Sequence, residues 1–457
     1  MEKKKLIHLA LGTLIMLPSC TQEDPARIEP QGDGNRIFFR SYLPNVAETR
    51  GQVITSDNFT TCQVICINPD DTESIDAASG EIRPYFTDIC FTRDSQGRFF
   101  SQGDEKCKWP NTGNTLHFFA YYPSAESMKK RIGNSYFNLV NESGITDGNT
   151  NIGYRIDNFR IAANIADQVD FTSAYSTGSM HENNNTGIEL DFRHQLARVE
   201  ISAWGANEKY NFEIAGVRIG NAITGGDFHF TGNSGKEYPW TATEGQLAPV
   251  EHIFTTGESI ETLSQQTGSH TSDKDAASVM GNALSAMVIP MQQRIEAWEG
   301  QEDPLTKQAP YKTEKMFFSL LLRVTDTDGE LVYPYPKDTD NIPVTYLAVE
   351  NGKVSRRLYE SGGRFYTDAD LDEAKRYTPK ATESILGFCW AALPVAAKWE
   401  AGKIYSYKLN YSTGIGWHDP SYPDPGKPIV KRVAIPFDVT VEEWKEGTKT
   451  DVTVPRK

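Results

Sequence analysis

The segment Gly187–Ala203, GIELDFRHQLARVEISA, constrains the fold of this chain more than any other. Ile188, Leu190 and Phe192 fall on one side of an extended backbone and Glu189, Asp191 and Arg193 on the other, the two-residue period of a strand with one buried face. After Leu196 the parity flips: Val199, Ile201 and Ala203 become the apolar set, opposite Arg198, Glu200 and Ser202. A strand that stays on one core then needs one extra residue between His194 and Ala197, which is how a β-bulge reads in a sequence. The preceding run, Ser173–Thr186 (SAYSTGSMHENNNT), is polar and rich in Ser, Thr, Gly and Asn; it reads as an interdomain linker, with the strand opening a second domain.

The same alternation recurs along the chain. Strands are predicted at Arg36–Leu43, at Thr61–Ile67 with a turn at Asn68–Asp71, and over Ile82–Arg93 pairing with Gly97–Ser101. Leu116–Tyr122 is apolar or aromatic on both faces and should be a central strand, with His117 a packing residue rather than a ligand. Residues Ser124–Ala163 read as loop-rich with one poorly defined strand. Phe212–Gly220 is a strand followed by a Thr-Gly-Gly turn within Asn221–Asp227, residues 231–280 include a long polar excursion, and Ala286–Met291 is a strand. Met316–Thr325 and Glu330–Tyr335 form a hairpin across Asp326-Thr327-Asp328-Gly329, a turn that lacks the remaining ligand positions of a calcium loop. Gly387–Leu393 and Lys403–Tyr411 follow, the latter with Tyr405, Tyr407, Leu409 and Tyr411 on one face. In the last strand Val433, Ile435, Phe437, Val439 and Val441 share a face before Trp444, and Pro436 makes that strand an edge or a bulged one. Strands without helices between them predict an all-β chain of two antiparallel β-sandwiches.

A length of 457 residues suits two domains plus export and tether segments. The net charge is −15, and removing residues 1–19, with their three Lys and one Glu, leaves about −17, which repels nucleic acid phosphates and anionic lipid head groups. Residues 1–19 read as a signal peptide: Lys3–Lys5 are a basic start, Leu6–Leu17 an apolar stretch too short to span a bilayer, and Ser19 a small residue before Cys20. Leu17-Pro18-Ser19-Cys20 resembles a bacterial lipobox, apart from Pro18, which implies acylation of the Cys20 thiol; the alternative is a soluble secretory signal. The acidic Gln22-Glu23-Asp24 that follows resembles a signal for lipoprotein display on the cell surface. Residues 20–35 then form a flexible tether. Of the remaining cysteines, Cys62 and Cys66 lie about 13 Å apart on one strand face, too far for a disulfide. They and Cys389 read as small buried apolar residues, with Cys90 and Cys107 as one conceivable pair.

The F-x-H-x-L-A-R-V run at Phe192–Val199, with Asp170-Phe171 and Ser173-Ala174 ahead of it, resembles the start of the C-terminal domain in the fimbrillin family, subunits of the type V pili of Gram-negative bacteria. Trp109-Pro110, a short polar turn and L-H-F-F-A-Y-Y-P at Leu116–Pro123 resemble that family's N-terminal domain. W-x-A-G-K-x-Y-x-Y-x-L from Trp399 and the closing F-D-V-T-V-x-x-W from Phe437 are similar again. The resemblance implies two tandem transthyretin-like domains, residues 36–183 and 184–457, and a non-enzymatic pilus subunit or accessory or tip adhesin of the outer membrane and fimbrium. It implies cleavage by an arginine-specific protease in the connector Pro44–Arg50, after Arg50, where an ordinary exposed loop arginine is the other reading. A sandwich that loses its first strand presents a groove for a neighbouring subunit's strand. The implied partners are thus other fimbrial subunits, a host or bacterial surface receptor, and the membrane through the lipid.

No catalytic constellation is legible: there is no G-x-S-x-G, His181-Glu182 lacks the second His of H-E-x-x-H, and Gly235-Lys236 is followed by Glu rather than Ser or Thr. No metal or cofactor set is nominated. The loop Thr413–Pro428 carries Trp417, His418 and Tyr422 among Gly and Pro. Exposed, these would suit a monomeric glycan-binding surface lipoprotein; tucked against the sandwich end, they would be packing residues. A hydrolase would instead show a deep pocket gathering acidic or His side chains.

Overall fold

The computed structural model describes residues 35–42, 59–101, 107–230, 238–242, 247–283, 285–298, 314–334, 342–422, 429 and 435–444. Cys20, Arg50, the signal segment, the tether up to residue 34 and the whole connector Pro44–Arg50 lie outside them. Five strands come first: β1 (Phe38–Tyr42), β2 (Thr61–Ile67), β3 (Pro84–Arg93), β4 (Arg98–Ser101) and β5 (Leu116–Tyr122). Helix α1 (Ala125–Ile132), capped by the Ser124 hydroxyl accepting from Ser127 N, leads to β6 (Asn138–Asn141), β7 (Gly144–Thr146), β8 (Asn149–Asn151) and β9 (Tyr154–Arg160). Then come β10 (Thr172–Gly178), β11 (Ile188–Asp191) and β12 (Arg193–His194). The stretch expected to be loop-rich thus holds a helix and a seven-residue strand; α1 is only eight residues long and buries one side chain, Met128, too little apolar periodicity to read.

Eight of these strands form one sheet in the order β11-β1-β4-β3-β2-β5-β10-β12. Its two ends, β11 and β12, are separated only by Phe192, so the sheet closes on itself as a flattened barrel. Phe39, Val64, Cys66, Phe91, Phe99, Phe118, Leu190 and Phe192 fill its interior. As its two apolar faces require, β5 is central, paired with β2 and β10; Leu116, Phe118 and Ala120 face the barrel interior while Phe119 and Tyr121 face outward. That outer face is covered by a four-stranded sheet containing β6 and β9, through Phe137, Phe159, Phe228, Phe230 and Trp240.

The remaining strands are β13 (Ala197–Trp204), β14 (Tyr210–Ile223), β15 (Gly225–His229), β16 (Trp240–Ala242), β17 (Leu247–Ile253), β18 (Glu261–Leu263), β19 (Ala277–Ser278) and β20 (Ala286–Val288). After these come β21 (Phe317–Asp326), β22 (Leu331–Tyr333), β23 (Thr345–Glu350), β24 (Lys353–Ser361), β25 (Arg364–Tyr366), β26 (Glu383–Pro394), β27 (Lys403–Asn410), β28 (Trp417–His418) and β29 (Phe437–Glu443). One sheet runs β17-β14-β21-β26-β23-β24-β25 and faces another, β19-β13-β27-β29. Between them Phe318 meets Tyr407 edge-on at 4.9 Å and Phe212 meets Tyr411 at 5.3 Å. The fold is all-β, built of sandwiched, mainly antiparallel sheets, and the β21–β22 hairpin and the edge position of β29 are as expected.

The parity flip is not a bulge. Residues 188–194 belong to the barrel, β11 pairing in parallel with β1, and from Ala197 the chain pairs in parallel with β27 on a different core. The apolar side changes because the core changes. The run expected as a linker contains β10, paired with β5 over seven positions: a backbone ladder needs no apolar side chains, and Thr172, Ser173 and Ala174 are buried there as small residues. The Thr-Gly-Gly segment is no turn either, because β14 continues almost directly into β15, which pairs with β9. Pairing therefore changes partners at residues 195–196 and returns to the first unit over 225–242, so a single division at 183/184 does not follow the sheets. Cys62, Cys66, Cys107 and Cys389 are buried and Cys90 is exposed, and Cys90 and Cys107 do not form a disulfide.

Candidate functional site

The first strand sits where its removal changes most. β1 is wedged between β11, in parallel register from Phe39↔Ile188 to Tyr42↔Asp191, and β4, antiparallel with Phe38↔Phe100, Phe39↔Phe99 and Arg40↔Arg98. Just before it, Ile37 N donates to Cys107 O at 2.8 Å and Trp109 N to Asn35 O at 2.8 Å. Phe39 is fully buried and meets Phe91 at 4.8 Å and Phe118 at 5.2 Å, both edge-on. Phe38 points the other way and stacks on Phe100. The neighbouring strand can approach only because residue 187 is glycine: its φ is +72°, and a Cβ there would lie 2.4 Å from the Phe38 ring. Without β1, β4 and β11 would carry unpaired backbone groups along a slot lined by Phe91, Phe99, Phe118, Ile188 and Leu190.

The chain's other end supplies an open edge. β29 pairs with β27 on one side and ends its sheet among the described residues. Val439 and Val441 are 47% and 49% exposed. The strand is pinned at its end by Trp444, whose ring lies flat on His194 at 3.8 Å, while His194 Nδ1 sits 2.6 Å from Asp170 Oδ2. Both the His194 and Asp170 side chains are closed off from solvent, so this pair clasps the junction of the two sheet systems. Sequence reading finds Asp170 and His194 as motif letters; their contact joins residues 24 apart and becomes visible only through the β10–β12 pairing.

The loop from Thr413 packs down over its described part. Trp417 and His418 form β28 against Ala392 and Ala391 of β26. His418 and Tyr422 are each 3% exposed, and the Tyr422 hydroxyl accepts from Trp390 N at 2.5 Å. Only Trp417 keeps a partly open ring, packed on Trp298 and Phe317. Beneath them Asp419, fully buried, accepts from Arg218 at 3.1 Å, and Arg218 lies 4.2 Å over the Trp390 ring. Burial disfavours the Arg218 charge, but Asp419 and Glu251 beside it outweigh that and raise its pKa. No sequence signal links Arg218 to a partner 201 residues away. The three aromatic residues are thus brought together, but not as a platform on which a sugar would stack.

His252 and Glu258 make a second buried pair, at 2.9 Å. Among the described residues no group of three or more His, Cys, Asp or Glu side chains is placed to share a metal ion, and no helix is long and apolar enough to cross a membrane.

Comparison with known proteins gives the arrangement a context. A fimbrial protein of Bacteroides vulgatus superposes with a TM-score of 0.47 at 10% identity, over 90% of this chain and 100% of its own. A proposed cell-adhesion protein of Bacteroides uniformis gives 0.34 at 12%, over 90% and 100%. No curated protein matches. The model of the fimbrillin-like family matches residues 49–444, nearly the whole sequence that follows the connector, and this chain is a member of that family.

Proposed function

We propose that this chain is a non-enzymatic fimbrial subunit or accessory or tip adhesin, exported to the outer membrane as a lipoprotein acylated on Cys20 and assembled by strand exchange once cleavage at Arg50 removes the acylated segment together with β1. Its partners are other subunits of the fimbrium and a receptor on a host or bacterial surface. The observation that carries the reading is the seat of β1: a short N-terminal strand, followed by the connector that holds Arg50, completes a closed barrel and leaves a slot with two bare backbone walls when it goes. The exposed edge of β29 adds a second surface suited to pairing with another chain. The test compares the intact chain with chain nicked after Arg50. Nicked protein is expected to release the whole segment that ends at Arg50, β1 included, and form SDS-resistant multimers; retention of β1 with no multimers refutes strand exchange. Labelling with a fatty acid, with Cys20→Ala as control, tests the anchor separately.

A further inference from the structure

An open cleft of about 600 Å³ lies where α1 ends and β9 leaves its sheet. Three of its lining residues are cationic, Lys130, Arg131 and Arg160, against a single carboxylate, Asp167, in a chain whose net charge is −15. Arg160 lies 4.9 Å over the Tyr136 ring, and its Nε, closed off from solvent, makes no hydrogen bond within the protein. Lys130 is tied to Glu126 at 2.7 Å, the Asp167 carboxylate accepts from Asn164, and Arg131 Nη1 donates to the Asp167 carbonyl at 3.4 Å, so Arg160 is the cation placed to receive a ligand. Ile132 and Ile161 contribute an apolar wall, and a water-sized recess of about 10 Å³ floored by Met128 lies beneath. The volume falls in the range of small-ligand sites, and an open mouth admits a ring that continues as a chain.

We propose that this cleft binds a saccharide bearing a carboxylate or sulfate, its anionic group forked by Arg160 and its ring lying along the Ile132–Ile161 wall. A planar guanidinium matches such an oxyanion in two parallel hydrogen bonds, and the partly exposed Ile132 offers an apolar surface to the C–H face of a sugar. The site goes beyond the pilus reading and stands apart from it, because binding is measured on the intact, unassembled chain.

Titration calorimetry with a glucuronate disaccharide, N-acetylneuraminic acid and galactose 6-sulfate, each beside its neutral counterpart and sodium sulfate, tests the proposal. Binding of at least one acidic sugar is expected, weakening with salt and falling roughly 10- to 100-fold in Arg160→Gln. Arg160→Lys should recover part of that loss, and Asp167→Asn should tighten binding, a gain that no folding defect can mimic. The proposal is overturned if no acidic sugar binds, if neutral sugars or sulfate alone bind as tightly, or if affinity is unchanged in Arg160→Gln.

Discussion

Phe39→Ala tests the seat of β1 directly. The side chain is fully buried inside the barrel, in edge-on contact with Phe91 and Phe118 at 4.8 and 5.2 Å, while Phe38 beside it stacks on Phe100. Truncating a phenylalanine so enclosed costs about 3–5 kcal/mol, and the two ring contacts place this one in the upper half of that range. In the intact chain the loss appears as a lower denaturant midpoint. In chain nicked after Arg50 the same energy no longer holds a tethered strand, so β1 leaves faster, by roughly 10²- to 10⁴-fold if the whole loss falls on dissociation. Release of the segment that ends at Arg50 is followed by mass spectrometry of the unbound peptide over time. Arg40→Ala, a change on the exposed face of the same strand, serves as the control and should stay within ~0.5 kcal/mol. If Phe39→Ala behaves like Arg40→Ala in both forms, the barrel does not depend on β1 and the slot is not a binding site for a strand.

Gly187→Ala forces a side chain into a left-handed backbone against the Phe38 ring, and should cost ~1–3 kcal/mol by denaturant titration. Burial works against ionisation of Glu258, but hydrogen bonds from His252, Asn282 N and Thr255 N carry its pKa down to about 2. Its contribution is therefore full above the ordinary value near 4.5 and is lost as pH falls from there towards 2. Glu258→Gln should flatten that part of a melting-temperature profile, while an unchanged slope counts against the pair. Val439→Lys with Val441→Lys should leave the melting temperature of the monomer unchanged, since both side chains are half exposed, yet reduce multimer yield after nicking; an undiminished yield removes β29 from the assembly surface.

Local alternation made individual strands legible and their destinations illegible. Leu116–Tyr122 shows both apolar faces in its own residues, and the structure covers both. The flip at His194–Ala197 is just as clear in the sequence, but a bulge and a passage between two cores produce the same pattern, and only the distant partners β1 and β27 decide between them. β10 escapes notice for the opposite reason: its ladder to β5 is complete while its side chains are Thr, Ser, Ala, Tyr, Ser, Thr and Gly. The β23–β24 hairpin carries its signal in the turn, Asn351-Gly352 with both φ positive, while β24 spaces Val354 and Leu358 four residues apart and shows no alternation. The loop at 413–422 has the composition of a ligand site, and Asp419 is what draws it inward, through Arg218 on a strand two hundred residues earlier. The charged cleft at Arg160 had no chance of being read, because its cations come from a helix end and a strand end that meet only once the four-stranded sheet is formed.

Closure of the barrel also bears on when assembly can begin. On the proposed reading, β4 and β11 are satisfied along this slot by β1 until cleavage, and cannot pair there with another chain. Loss of β1 would expose two edges at once, one requiring an antiparallel partner and the other a parallel one, which restricts a replacement to the direction of the strand that left. The replacement must also carry a large apolar side chain at the position opposite Phe99 and Ile188, where Phe39 now fills the interior, and a tolerance for solvent at the next, where Arg40 lies. On the proposed reading, a peptide copying β1 with Phe39 replaced by Asp should therefore fail to enter nicked protein, whereas one with Arg40 replaced by Thr should enter as well as the natural strand. Equal entry of both would mean that the slot recognises backbone alone, and the sequence of the incoming strand would then carry no selectivity between subunits.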